Sequence, residues 1–169
     1  MNPTWIVRTG RLVMRPVGGG DLADLVALKA DPQVFAVMLG GVRTPERAAE
    51  ELAEDIMFWG AHGVGMWAVR DAVTEAFRGY VGMHQRPDGR GIALRFAFVA
   101  AAQGRGYGSE AAGAALRFGH ERAGLARIIA VARESNIASR QVLGGIGMVE
   151  CDAYLRDGYR VLVYESTRG

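Results

Sequence analysis

The stretch Gln103-Gly104-Arg105-Gly106-Tyr107-Gly108-Ser109 stands between two runs of different period. Before it, residues 91–99 alternate as a strand does. After it, Ala112, Ala115, Leu116 and Gly119 share one face of a helix predicted over about 109–123. Gly124 is a natural stop for that helix, and residues 125–132 are apolar enough for a strand buried on both faces. Strand, glycine loop, helix and strand make a βαβ unit, which requires a parallel or splayed strand pair.

The rest of the chain frames this unit. Residues 12–17 form a first strand after a lead containing Trp5, and the glycines 18–20 break it. Asp21 can cap a helix carrying Leu22, Leu25, Val26 and Lys29 at helical spacing, ended by Asp31-Pro32. Thr44-Pro45-Glu46 starts a second helix with a hydroxyl cap, a proline at the first helical position and a carboxylate in the first turn. Its expected stripe is Ala48, Leu52, Ile56 and Trp59, with Gly60 as the stop. Glu50, Glu51, Glu54 and Asp55 read as a solvated acidic face, or one that attracts a cationic amine. Residues 64–70, 78–85 and 91–99 then alternate as consecutive strands, the last two joined by the turn Arg86-Pro87-Asp88-Gly89. Downstream, Asn136 caps a short helix through Leu143, and residues 148–156 and 159–165 make a hairpin about Asp157-Gly158. The expectation is one α+β domain, residues 1–169.

Composition excludes several classes of function. Half the residues are apolar and 22% are charged, a globular balance. No apolar run approaches the ~18 residues of a membrane span, and Arg8, Arg11 and Arg15 are not followed by a signal-like apolar block, so a cytoplasmic protein without a membrane partner is expected. A net charge of +2 is too small to argue for nucleic acid. Lys29 is the only lysine. The single Cys151 forms no internal disulfide, and its distance from any histidine motif gives no support to a Cys–His nucleophile. His62, His84 and His120 share no metal-ligand spacing, so no metal is expected.

Glycines at a helix start let an anion approach unpaired main-chain N–H groups, so the loop suits a phosphate or pyrophosphate, or else makes only a tight turn. It has no Gly-Lys-Ser/Thr, which argues against ATP or GTP held by a P-loop. A dinucleotide fold would need a second doubly wound half that the remaining chain cannot supply. Coenzyme A is the third class.

The sequence resembles the GNAT family of N-acetyltransferases, in the branch of ribosomal-protein N-terminal acetyltransferases. Gln103 to Gly108 looks like that family's Gln/Arg-x-x-Gly-x-Gly/Ala motif; Ser109-Glu110-Ala111, the opening Thr9-Gly10-Arg11-Leu12 through Arg15-Pro16, and Asn136-Ile137-Ala138-Ser139 with Gly147-Met148 extend the match. The resemblance implies a mixed, mostly antiparallel central sheet with a splayed parallel strand pair and helices on both faces. It implies acetyl-CoA as co-substrate and an amine as acceptor, in a monomer or homodimer. Phe98 and Val99 would end the strand beside the pantetheine arm. Gln103, Gly104, Arg105, Gly106, Tyr107, Gly108 and Ser109 would hold the pyrophosphate, Asn136 and Ser139 would face the arm, and Arg140 would reach a phosphate.

Acetyl transfer to an amine needs a neutral amine, an oxyanion donor and a proton for the leaving thiolate. Many family members carry a glutamate base on the strand before the loop; the matching positions here are Ala93, Leu94 and Arg95. His84 or a water chain is the replacement to consider, and a strand histidine is otherwise packing or surface. The tyrosine of many relatives is Leu143 here, which makes Ser139 the expected acid, with Tyr154 and Tyr164 as fallbacks. Ser139 can instead bond back to helix carbonyls. The acceptor region offers Phe35, Met38, Phe58, Trp59, Trp67 and Tyr154, and it leaves small amines, aminoglycosides, polyamines and protein N-termini open. The alternative to an enzyme is a non-catalytic acyl-CoA sensor or regulatory module.

Overall fold

A computed structural model describes residues 2–168. The alternating segments form β1 (Val7–Arg8), β2 (Leu12–Pro16), β3 (Met66–Asp71), β4 (Phe77–Gln85), β5 (Ile92–Phe98), β6 (Arg127–Arg133), β7 (Val149–Arg156) and β8 (Tyr159–Thr167). They make one eight-stranded sheet in the order β1-β2-β3-β4-β5-β6-β8-β7. Neighbours are antiparallel except β5 and β6, the pair flanking the glycine loop. β1 was not expected, because two residues are too few for an alternation to register.

Helices α1 (Leu22–Ala30), α2 (Pro32–Phe35), α3 (Pro45–His62), α4 (Tyr107–Arg117) and α5 (Ile137–Gly145) cover both faces of the sheet. Pleating sends alternate side chains to opposite layers. Trp67, Val69, Val81, Met83 and Leu94 meet the alanines of α4, while Met66, Ala68, Tyr80 and Ala97 meet Leu25, Leu28 and Phe35 of α1 and α2. Small residues on α4 and in the turn that follows it allow close approach: a Cβ on Gly119, just past α4, would lie 2.6 Å from Ile128 Cδ1. At this contact the helix departs from the expected regular run to 123. Regular turns end at Arg117, and a wider π-type turn spans Phe118–Arg122.

α3 corrects two expectations. It runs through Gly60 to His62 and ends at Gly63, whose left-handed φ of 67° and N–H to Trp59 O form the cap. Its buried face is Ala48, Glu51, Leu52, Asp55 and Trp59, whereas Ile56 is 41% exposed. Trp59 and Trp67 belong to the core, not to an acceptor surface. Trp59 Nε1 donates to Met66 O and Trp67 Nε1 to Trp5 O, each at 2.7 Å, and both rings meet Phe118 edge-on.

Candidate active site

β5 and β6 are in register at a single pair, Ala93 with Ile129, and diverge beyond it. Val99 N–H donates to Arg78 O on β4, so by strand alternation the main-chain groups of Phe96 and Phe98 turn the other way, into the gap. Phe98 closes β5 at the edge of this gap, and the amide of Val99, the next residue, faces β4. Gln103 uses its side chain to bond Phe98 O at 3.1 Å, fastening the loop to the strand it follows.

The loop itself turns on Gly104 and Gly106, both at φ 78°, in the left-handed region that side chains disfavour. The amides of residues 104–109 have no hydrogen-bond acceptor among the described residues, and those of Tyr107, Gly108 and Ser109 open the eleven-residue α4. They form a row of donors at the positive end of a helix dipole. The row is braced from behind by the opening motif of the chain. One carboxylate oxygen of Glu110 accepts from Thr9 Oγ1 and from Arg11 N at 3.0 Å; the other accepts from Arg11 Nε at 2.7 Å. Arg11 Nη1 reaches Arg105 O at 2.8 Å, and its guanidinium lies 4.3 Å from the Tyr107 ring centre. Burial alone would push Glu110 up, but the bonds from Thr9 and Arg11 hold its carboxyl below the usual range. Neither the Arg11 side chain nor this latch was assigned a role from sequence; the signal was the opening motif itself.

The gap, the loop and α5 enclose a cavity of ≈ 490 Å³ lined by Phe96, Phe98, Gly104, Gly108, Asn136 and Ser139, among others. Asn136 is buried and caps α5, its Oδ1 accepting from Ser139 N at 3.2 Å. The Ser139 hydroxyl has no bond back to the helix and no other partner among the described residues. Arg140 is turned elsewhere: Nε donates to Tyr164 Oη at 3.2 Å, Nη1 to Glu134 O at 2.8 Å, and Glu150 lies 3.6 Å away. Tyr164 accepts from Arg140 and donates to Glu150 at 3.3 Å, while Tyr154 accepts from Arg86 at 3.2 Å. Arg105 does not line this cavity; its carbonyl accepts from Arg11. Cys151 is exposed on β7.

A second cavity of ≈ 850 Å³ meets the first at Phe96, Asn136 and Ser139 and extends under α2 and α3. Phe35, Met38 and Phe58 line it, together with Tyr80, His84 and Arg95 from the sheet. Burial first, then Arg95 and Arg86, push the His84 imidazole down to about 2, so it is neutral and weakly basic. The acidic face of α3 is the largest departure from expectation. Glu51 is 6% and Asp55 5% exposed, and both line this cavity. Lys29 Nζ lies 3.1 Å from Glu51, Arg43 Nε lies 3.2 Å from it, and Arg95 Nη2 is 2.9 and 3.2 Å from the Asp55 oxygens. Burial pushes Glu51 up, but Lys29 and Arg43 outweigh it and hold the carboxyl low. For Asp55 burial prevails over Arg95, and its pKa is raised. No group of three or more His, Cys, Asp or Glu is arranged to hold a metal ion among the described residues.

A family model described as Acetyltransferase (GNAT) domain matches residues 11–149. An acetyltransferase from Agrobacterium tumefaciens str. C58 superposes with a TM-score of 0.86 at 24% identity, covering 96% of this chain and 94% of that one. A GnaT-family acetyltransferase from Bordetella pertussis gives 0.83 at 25% identity, with 95% and 98% covered. RimL, a ribosomal L7/L12 alpha-N-protein acetyltransferase solved with coenzyme A, gives 0.78 at 17% identity, with 96% and 97% covered.

Proposed function

The chain belongs to the GNAT acetyltransferase family, and from that premise we propose that residues 1–169 act as one domain that transfers the acetyl group of acetyl-CoA to a primary amine by direct attack. The observation that carries this reading is the strand pair that parts after Ala93 and Ile129 beside a row of unclaimed amides, with a second cavity opening on the same point. Main-chain groups of Phe96 and Phe98 would pair with the amides of the pantetheine arm as an added strand does. Amides of residues 104–109 would take the pyrophosphate. Asn136 would hold the arm, and Ser139, whose hydroxyl is unengaged, would give its proton to the leaving sulfur and recover one from solvent. The acceptor would enter through the larger cavity, its amine nitrogen reaching the thioester near Phe96. The thioester supplies the activated acetyl group; the chain supplies orientation, donors and a route for protons.

The binding half is tested by calorimetry with acetyl-CoA, ATP and NAD: micromolar to millimolar heat is expected with the first alone. The transfer half is tested by thiol release across peptides, polyamines and aminoglycosides. Ser139→Ala should lower kcat by about 10²-fold while leaving the KM for acetyl-CoA within a few-fold. Acetyl-CoA binding without turnover on any amine would favour the sensor reading, which the lack of a carboxylate at Ala93, Leu94 and Arg95 supports.

A further inference from the structure

The amine must lose a proton before or as it attacks, and β5 offers no carboxylate among Ala93, Leu94 and Arg95. The Arg95 guanidinium instead holds a carboxylate brought across from α3. We propose that Asp55 is the catalytic base that receives the ammonium proton of the acceptor. Asp55 is buried in the wall of the larger cavity, anchored by Arg95, the residue preceding Phe96, where that cavity joins the smaller one.

The other titratable groups of this cavity are worse suited. His84, pushed down to about 2, retains almost no affinity for a proton. Glu51 is held by Lys29 and Arg43, with Arg47 Nη2 a further 3.9 Å contact, and its carboxyl is lowered. Glu54 is exposed and paired with Arg47 at 3.2 Å. Asp55 faces a single hydrogen-bonded cation, Arg95 on β5. Lys29 on α1 acts on it at longer range, Glu51 and Glu54 on its own helix oppose both cations, and Tyr80 and His84 on β4 complete the surroundings. Burial and those acidic neighbours raise its proton affinity, while Arg95 fixes its orientation.

The step balances. An N–H bond of the ammonium breaks, and its proton passes to a carboxylate oxygen of Asp55, directly or through one water. The nitrogen pair forms a bond to the acetyl carbon while the carbonyl pair moves onto oxygen, and the now cationic nitrogen loses a second proton to solvent; as the carbonyl re-forms, the carbon–sulfur bond breaks, and the sulfur leaves with the pair of that bond and takes the Ser139 proton, which solvent replaces. Asp55 then returns its proton to solvent.

This inference rests on the acetyltransferase reading, and one pH series separates the two. kcat/KM is measured from pH 4 to 9 with two acceptors, a peptide N-terminus near 7.7–8.0 and an alkylamine near 10.4. With Asp55 as base, the acid limb sits at one carboxylate-like pH for both acceptors. A limb that follows each amine's own pKa overturns the proposal. Asp55→Asn should lose about 10²-fold or more in kcat and move its limb to the amine's pKa, with calorimetric affinity for acetyl-CoA unchanged, and Asp55→Glu should restore part of the loss. Arg95→Gln, which removes the facing cation, should move the limb to higher pH and covers the case in which Asp55→Asn does not fold. An Asp55→Asn enzyme with the native limb overturns the assignment; no turnover on any amine overturns both readings.

Discussion

Gly108 offers the cleanest interrogation of the cofactor cleft. A Cβ there would make ordinary contacts, 3.5 Å to Val142 Cγ2 and 3.7 Å to Phe98 Cε2, and its φ lies outside the left-handed region. Gly108→Leu should therefore fold normally yet fill the gap, weakening acetyl-CoA binding at least tenfold by calorimetry with an unchanged melting temperature. Native affinity in that variant would place the cofactor elsewhere. His84 carries a different prediction, on stability. Its imidazole is ordinary, near 6.5, in the unfolded chain and about 2 in the folded one. As pH falls through that window the unfolded chain binds a proton that the folded chain refuses, so stability declines with a slope of up to about 1.4 kcal/mol per pH unit. Urea melts of His84→Gln at pH 6.5 and 4.5 should show a shallower loss than wild type; equal losses would assign the slope to carboxylates. Asn136 was legible from sequence because capping is a local property. Asp55 was not, since its burial is decided by a partner 40 residues away.

At the level of elements, the βαβ unit was readable because each of its parts has its own period, and the glycine loop marks the boundary between them. The parting of β5 from β6 came from resemblance; main-chain pairing leaves no trace in side-chain pattern. The connection between the β1–β2 turn and α4 was likewise hidden, although both halves of it had been noticed as motifs. Its central carboxylate can be tested. Glu110→Gln keeps the size and removes the charge that Thr9 and Arg11 share, which should cost about 1–2 kcal/mol in chemical denaturation. Because the same bonds brace the loop, the KM for acetyl-CoA should rise several-fold with kcat nearly unchanged. A stability loss without a KM change would make the latch purely structural.

Across the whole molecule, hydropathy located the layers and missed the charges between them. The α3 stripe was read with Ile56 inside and Asp55 outside; the fold reverses them, since Glu51 and Asp55 find their cations on α1 and β5. A buried ion pair joins distant segments, so neither half looks unusual alone. The same network accounts for Lys29, the only lysine of the sequence, which is 1% exposed against Glu51. An enzyme that handles activated acyl groups thus presents no ε-amine to solvent. Stray acylation of its own side chains has no exposed ε-amine to strike, and lysine-directed dyes or crosslinkers added to the native protein would find no lysine on its surface.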